Sequence, residues 1–344
     1  MTDPTVGSLR VNGATLHYEV RGHGPLLLLI PGGTGGAASL GDLAAVLADE
    51  YTVATYDPRG MARSALDDPE AGQSVAEHAD DAYRLLELLS PGEPARVFGA
   101  SSGGIAALHL LTARPERVER VVVHEPPVVM VLPDAAEHRR LLARVGETLR
   151  TEGLMPAMAV FAAGLKGDGD AAEPKAGGEV GAEVQVEAEV QVEAEVQVEA
   201  EAEVKAEVEL PPQAAARAEQ TMAGLPYFVG RIVPAFMSYT PDVDRLEALS
   251  DRLVLGAGED SRGELAYRPA ALLADRLGMD LVHFPGGHIG LTTHPARFAE
   301  LLRETLRADC RPGGSCPSAG SAGSAGSVGS VGSVGSSSVA SAAE

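Results

Sequence analysis

The stretch Val97-Phe98-Gly99-Ala100-Ser101-Ser102-Gly103-Gly104 constrains this chain more than any other. A G-x-S-x-G pentapeptide follows a short apolar run directly and precedes a run rich in alanine and leucine. That is the pattern of a serine thrust out on a tight strand-to-helix turn. Such a turn leaves almost no room for side chains two residues to either side, and Gly99 and Gly103 meet that demand. Ser101 is therefore the candidate nucleophile, provided the surrounding segments build an open sheet beneath it.

They read that way. Leu9 to Val11 and Thr15 to Val20 alternate about an Asn12-Gly13 turn, a hairpin pattern. Leu26 to Ile30 is continuously apolar, as a strand covered on both faces must be, and it stops at Pro31-Gly32-Gly33-Thr34-Gly35-Gly36. A helical pattern over Leu40 to Ala48, a strand Thr52 to Tyr56, a turn at Asp57-Pro58-Arg59-Gly60 and a helix from Ser74 to Leu89 follow. The strand Arg96 to Phe98, the turn at Ser101 with its helix to Ala113, and a strand Val118 to His124 complete the first run. Strands alternating with helices at this spacing predict a parallel, doubly wound α/β sheet. The pattern stops after Glu125-Pro126-Pro127 and resumes at Arg252-Leu253-Val254-Leu255, with a helix over Tyr267 to Leu277 and a strand Leu281 to Phe284.

The sequence thus divides into a first core part, residues 1–127, an insertion, 128–245, and a second core part, 246–309. Helical patterns over Asp134 to Arg150, Leu154 to Leu165 and Ala214 to Tyr239 predict that the insertion is a helical cap. Inside it, at 178–210, Glu183-Val184-Gln185-Val186-Glu187-Ala188 is copied twice more and then degenerates. Its charge density and lack of aromatics predict a solvated, disordered segment, the alternative being a self-associating β segment or a partner-binding loop. Residues 310–344, mostly Ser, Gly, Ala and Val, read as a flexible tail, with Cys310 and Cys316 as exposed thiols. The repeat carries eleven Glu and one Lys, nearly half of the net charge of −22. What remains is a mildly acidic surface, which argues against nucleic acid and anionic membrane as partners; a protein partner of the repeat is unknown. Without a secretory pattern at Met1-Thr2-Asp3-Pro4 or an apolar run of membrane-spanning length, the expected location is cytoplasmic.

A serine hydroxyl needs an imidazole to take its proton and a carboxylate to orient that imidazole. Gly286-Gly287-His288-Ile289-Gly290, after the last predicted strand, makes His288 the candidate base; His294, before Pro295, looks like a capping or surface position. For the acid, Gly258-Glu259-Asp260-Ser261 lies at the carboxyl end of a strand, where open α/β sheets bind ligands. Asp260 is the choice, Glu259 its neighbouring substitute, and Glu125, at the end of an earlier strand, ranks third. The oxyanion of acyl transfer needs two N–H donors, predicted at Ser102 and at Gly33, with Thr34 next to it. The Pro31 to Gly36 loop lacks the lysine and the glycine spacing of phosphate-binding loops.

Over about residues 8–165 and 214–305 the chain resembles the α/β-hydrolase superfamily. The resemblance rests on Gly99-Ala100-Ser101-Ser102-Gly103, Leu29-Ile30-Pro31-Gly32-Gly33, Tyr56-Asp57-Pro58-Arg59-Gly60-Met61-Ala62-Arg63-Ser64 and Phe284-Pro285-Gly286-Gly287-His288. It implies an eight-stranded, mostly parallel sheet flanked by helices, a Ser101 nucleophile, a His288 base, an acid near Asp260, a lid of variable shape, and no cofactor or metal. Three positions depart from the family pattern: Pro31 where histidine is common, Met61 and Ala62 in the arginine turn, and a Gly258 to Asp260 spacing one residue short. A serine at the elbow points to hydrolysis of an ester, thioester, lactone or related acyl bond of a small molecule through an acyl-enzyme, a carboxylesterase-like activity. Other readings are a cofactor-free lyase, a perhydrolase or haloperoxidase-like enzyme, or a catalytically silent binding module. Met155, Met158, Phe161, Tyr227, Phe228 and Phe236 of the cap are the candidates to line the substrate pocket.

Overall fold

In the computed structural model, described over residues 3–165 and 212–307, the chain opens with the hairpin β1 (Thr5–Val11) and β2 (Ala14–Arg21). There follow β3 (Leu26–Ile30), α1 (Gly41–Leu47), β4 (Thr52–Tyr56), the two-residue β5 (Ala65–Leu66) and α2 (Val75–Leu89). Next come β6 (Ala95–Ala100), α3 (Ser102–Ala113) and β7 (Val118–His124). A helical layer intervenes: α4 (Ala135–Thr151), α5 (Leu154–Leu165), α6 (Pro212–Tyr227), α7 (Val233–Met237) and α8 (Val243–Glu247). The chain then returns to the sheet with β8 (Leu253–Gly258), α9 (Tyr267–Arg276), β9 (Leu281–Phe284), α10 (Gly290–Thr293) and α11 (Pro295–Arg307). The Glu/Val repeat, the Ser/Gly/Ala tail and both cysteines lie outside the described residues.

The strands form one nine-stranded sheet in the order β1-β2-β4-β3-β6-β7-β8-β9, with β5 paired to β2 off that path. From β4 to β9 every pairing is parallel; β1 and β2 are antiparallel to their neighbours. The eight strands of that path, mostly parallel, match the number the resemblance implies. The ninth strand, Ala14 opposite Leu66 and Thr15 opposite Ala65, is too short to leave a periodic signal.

Burial explains why the central strands read as unbroken apolar runs. Leu26, Leu28 and Ile30 of β3 point into one core and Leu27 and Leu29 into the other, on the opposite face. Val121 and Val123 of β7, and Leu253 and Leu255 of β8, join the first core; Val122 and Val254 join the second. Side chains alternate along a strand, so a strand covered on both faces must be apolar at every position. Each fully buried leucine stabilises the fold by about 1.5–3 kcal/mol. Helices α2 and α3 cover the first face, and α1 with α11 the second. A third cluster, including Leu142, Val145, Phe161, Val229 and Val233, holds the helical layer together.

The layer departs from expectation in one place. The run Ala214 to Tyr239 is not one helix: α6 contains Pro226 and is followed by a π-helical turn, Phe228–Ile232, before α7. Proline removes a backbone donor from the helical ladder, and a widened turn next to it is a common way for the chain to adjust. Among the described residues no helix is long and apolar enough to cross a membrane.

Candidate active site

Ser101 stands between β6 and α3 with φ 50° and ψ −122°, a conformation L-residues rarely adopt. Its N–H donates to the His124 carbonyl at the end of β7 (2.9 Å), which pins the turn to the neighbouring strand. The two flanking glycines are required by close approach. A Cβ on Gly99 would lie 2.6 Å from the Gly103 carbonyl, and one on Gly103 would collide with the carbonyls of Ile30 and Pro31. Gly32 is held as tightly, since a Cβ there would sit 2.7 Å from the Ser101 Cβ. The loop after β3 is anchored without a histidine at Pro31: the Asp57 carboxylate accepts the Ala37 N–H (2.8 Å), and Gly35 donates to the Gly32 carbonyl (2.9 Å). Asp57 in turn takes the Arg63 Nε–H (2.7 Å), and Arg59 forms a buried two-pronged pair with Asp81 of α2, both contacts 2.6 Å. Ala62, where glycine is usual, adopts φ 47°. The substitution keeps the left-handed turn at a cost of about 1–2 kcal/mol.

His288 lies in the loop between β9 and α10 and opens into the same cavity as Ser101. Its Nδ1 is 2.7 Å from Oε2 of Glu125. The expectation that Asp260 serves His288 is therefore corrected. Asp260 is exposed, in a short turn after β8 whose N–H donates to the Gly286 carbonyl (3.1 Å), and neither it nor Glu259 bonds to His288. Glu125 is fully buried, one residue past β7, with φ 44°. Its N–H donates to the Gly256 carbonyl (3.0 Å), and its Oε1 accepts the Gly258 N–H (2.8 Å). The end of β8 thus holds the carboxylate of the neighbouring strand instead of presenting its own. Burial alone would raise the Glu125 pKa. The hydrogen bond from His288, the fields of His124 and His288, and the Gly258 N–H outweigh it and hold the carboxyl down at about 2. An ionised Glu125 only accepts hydrogen bonds, so the 2.7 Å contact places a proton on Nδ1, and in the neutral imidazole Nε2 is then the nitrogen that carries the lone pair.

Ser102 begins α3, so its N–H, in the first helical turn, has no intrahelical acceptor. Gly33 differs from expectation. With φ 58°, its N–H does not stand open but donates to the Ser102 Oγ (3.1 Å).

Phe161 of α5, Phe228 and Ile232 of the π-helical turn, and Phe236 of α7 line a cavity of about 120 Å³ above Ser101. Tyr227 does not line it. It packs on Gly60, and its hydroxyl donates to the Arg59 carbonyl (3.2 Å), because neighbouring helical positions point about 100° apart. Met155 is 67% exposed, and Met158 packs within the helical layer. No described residue of the lining carries a charge at neutral pH unless His288 is protonated.

Two other histidines are buried nearby. His124 stacks edge-on against Phe284 (5.6 Å between centroids) and Phe298 (5.2 Å), and neither ring nitrogen has a partner among the described residues. Burial pushes its pKa down to about 4, with Glu125 opposing and His288 adding to the shift. His78 of α2 lies edge-on to Phe236 (4.8 Å), with Nε2 3.1 Å from the Gln73 side-chain oxygen; burial, then Arg59, lower it to about 3. No group of three or more potential metal ligands occurs among the described residues.

Residues 25–148 match the family described as alpha/beta hydrolase fold. The chain is 31% identical over 307 residues to an uncharacterized hydrolase, YraK, of Bacillus subtilis (strain 168), covering 88% of this chain and 96% of that protein. A zearalenone hydrolase of Bionectria ochroleuca is 31% identical over 126 residues, 35% of this chain and 46% of that one. In structure the chain is similar to a thermophilic esterase from Thermogutta terrifontis, with TM-score 0.61 and 20% identity, covering 89% of this chain and 98% of the esterase. The chain belongs to the α/β-hydrolase family and is a hydrolase of that fold.

Proposed function

We propose that the protein is a serine hydrolase of small, uncharged acyl substrates, esters or lactones, working through Ser101, His288 and Glu125. The observation that carries this reading is the 2.7 Å contact between His288 Nδ1 and a buried, ionised Glu125, in a cavity that His288 shares with Ser101. Nε2 of His288 takes the Ser101 proton as Oγ attacks the acyl carbon. The carbonyl π pair moves onto oxygen, which the Ser102 N–H stabilises at the start of α3. Collapse expels the alcohol, protonated by His288, and leaves an acyl-enzyme; a water molecule activated by the same imidazole then releases the acid. Glu125 keeps its charge throughout, holding the imidazole in one tautomer and stabilising the imidazolium.

The cavity bears on substrate class. Its lining is mostly apolar and, among the described residues, offers a carboxylate- or ammonium-bearing group only hydroxyls and the His288 ring, so desolvating such a charge would cost several kcal/mol. A binding module would have no use for a strained serine that shares a cavity with an oriented imidazole. Incubation with a fluorophosphonate probe tests the reading: one adduct per chain, on Ser101, is expected. Equal labelling of the Ser101→Ala variant, or none of the folded wild type, would overturn it.

A further inference from the structure

The hydrogen bond between Gly33 and Ser102 brings a side-chain hydroxyl into contact with one of the two expected backbone donors. Ser102 Oγ accepts the Gly33 N–H at 3.1 Å, and Ser102 lines the same cavity as Ser101, Gly33 and His288. A hydroxyl has one proton to donate and two lone pairs. One lone pair is used by Gly33, and the proton has no acceptor among the described residues. The donor left over belongs to the residue next to the nucleophile, on the wall of the cavity in which the oxyanion forms.

We propose that the Ser102 hydroxyl is a catalytic oxyanion donor, and that Gly33 acts on the oxyanion through it. This rests on the serine-hydrolase reading of the site. As Ser101 attacks and negative charge builds on the carbonyl oxygen, that oxygen accepts two hydrogen bonds from one residue, the Ser102 N–H and the Ser102 Oγ–H. The Gly33 N–H stays on Oγ and polarises the O–H bond. A donor whose own oxygen accepts a hydrogen bond donates more strongly, so the pair acts as a relay. No proton changes owner in the relay; the one transferred runs from Ser101 to His288. The arrangement also explains why the Gly33 N–H can be occupied in the resting site without disabling it.

The test compares wild type, Ser102→Ala and Ser102→Thr on p-nitrophenyl butyrate, with active sites counted by fluorophosphonate labelling. It is completed by the affinity of each for an alkyl boronic acid, which forms a tetrahedral adduct on serine. The expected result is a kcat lower by about 30- to 100-fold in Ser102→Ala, with KM within threefold, boronate binding weakened by a similar factor, and labelling still stoichiometric. Ser102→Thr, which keeps the hydroxyl, should stay within about fivefold of wild type. An unchanged or faster Ser102→Ala would overturn the inference, showing a hydroxyl that merely occupies Gly33. Equal losses in Ala and Thr would overturn it too, showing an effect of packing. A wild type that neither labels nor hydrolyses would instead sink the serine-hydrolase reading, so the two failures are distinguishable.

Discussion

Replacing Glu125 by glutamine should lower kcat by about 10⁴-fold, while Asp260→Asn should leave it within about threefold of wild type. Glutamine keeps the size of the side chain and can still accept the Gly258 N–H through its amide oxygen. The group facing His288 then becomes an NH₂, which donates where the carboxylate accepted, so Nδ1 must give up its proton. The favoured tautomer carries the proton on Nε2, the atom that has to receive the Ser101 proton. The charge that stabilises the imidazolium disappears as well. Asp260 is exposed, its backbone N–H donates to the Gly286 carbonyl, and among the described residues its carboxylate makes no hydrogen bond to His288 that the change would remove. Steady-state hydrolysis of a p-nitrophenyl ester by the two variants side by side reads the difference. A large loss in Asp260→Asn with a mild one in Glu125→Gln would restore the assignment that the local sequence favours.

The second large effect is on stability in acid. His78 and His124 are neutral in the fold, held down to about 3 and about 4, whereas in the unfolded chain each titrates near 6.5. Between pH 6.5 and 4 the unfolded state therefore binds two more protons than the folded one at these sites, and stability falls as pH falls. The contribution is fully present above about pH 6.5. It is lost at about 1.4 kcal/mol per pH unit for each histidine until the folded-state value is reached. Two pH units should then remove about 5 kcal/mol, a large part of the stability of an ordinary domain. Glu125, with its pKa lowered, adds a further loss only below about pH 4.5. The urea midpoint should drop steeply from pH 6.5 to 4.5, and His124→Phe, which sets an uncharged ring between Phe284 and Phe298, should show about half that dependence. A midpoint that is flat over this range in wild type would contradict the picture of two neutral buried imidazoles.

The contrast between Ser101 and Glu125 shows what the sequence could tell. The elbow is legible because its demands are local: an apolar strand, glycines two residues to either side and a helix following, all within about a dozen positions. The central strands are legible because burial on both faces leaves no polar position in Leu26–Ile30 or Val121–Val123. His288 stands out because glycines bracket it at the end of the last strand. The acid is a different kind of feature. Its contact with His288 joins residues 163 positions apart, and the conformation that aims it, φ 44°, belongs to a residue that carries no glycine signal. Glu125 did leave a trace, an acidic residue at the carboxyl end of a core strand before two prolines. Asp260 left a similar one at the end of β8; what separates them, the burial of Glu125 and its contacts with His288 and the Gly258 N–H, is made by residues distant in sequence. In the helical layer, the apolar period shared by Tyr227 and Phe228 could not say which ring faces the cavity. The turn after Pro226 decides that.

If Glu125 and not Asp260 orients His288, the proton on Nδ1 reports it directly. A strongly hydrogen-bonded imidazole N–H facing a buried carboxylate gives a proton NMR signal far downfield of the amide region. This resonance should be present in the wild type and in Asp260→Asn and should disappear in Glu125→Gln. A resonance that survives in Glu125→Gln and vanishes in Asp260→Asn would contradict it.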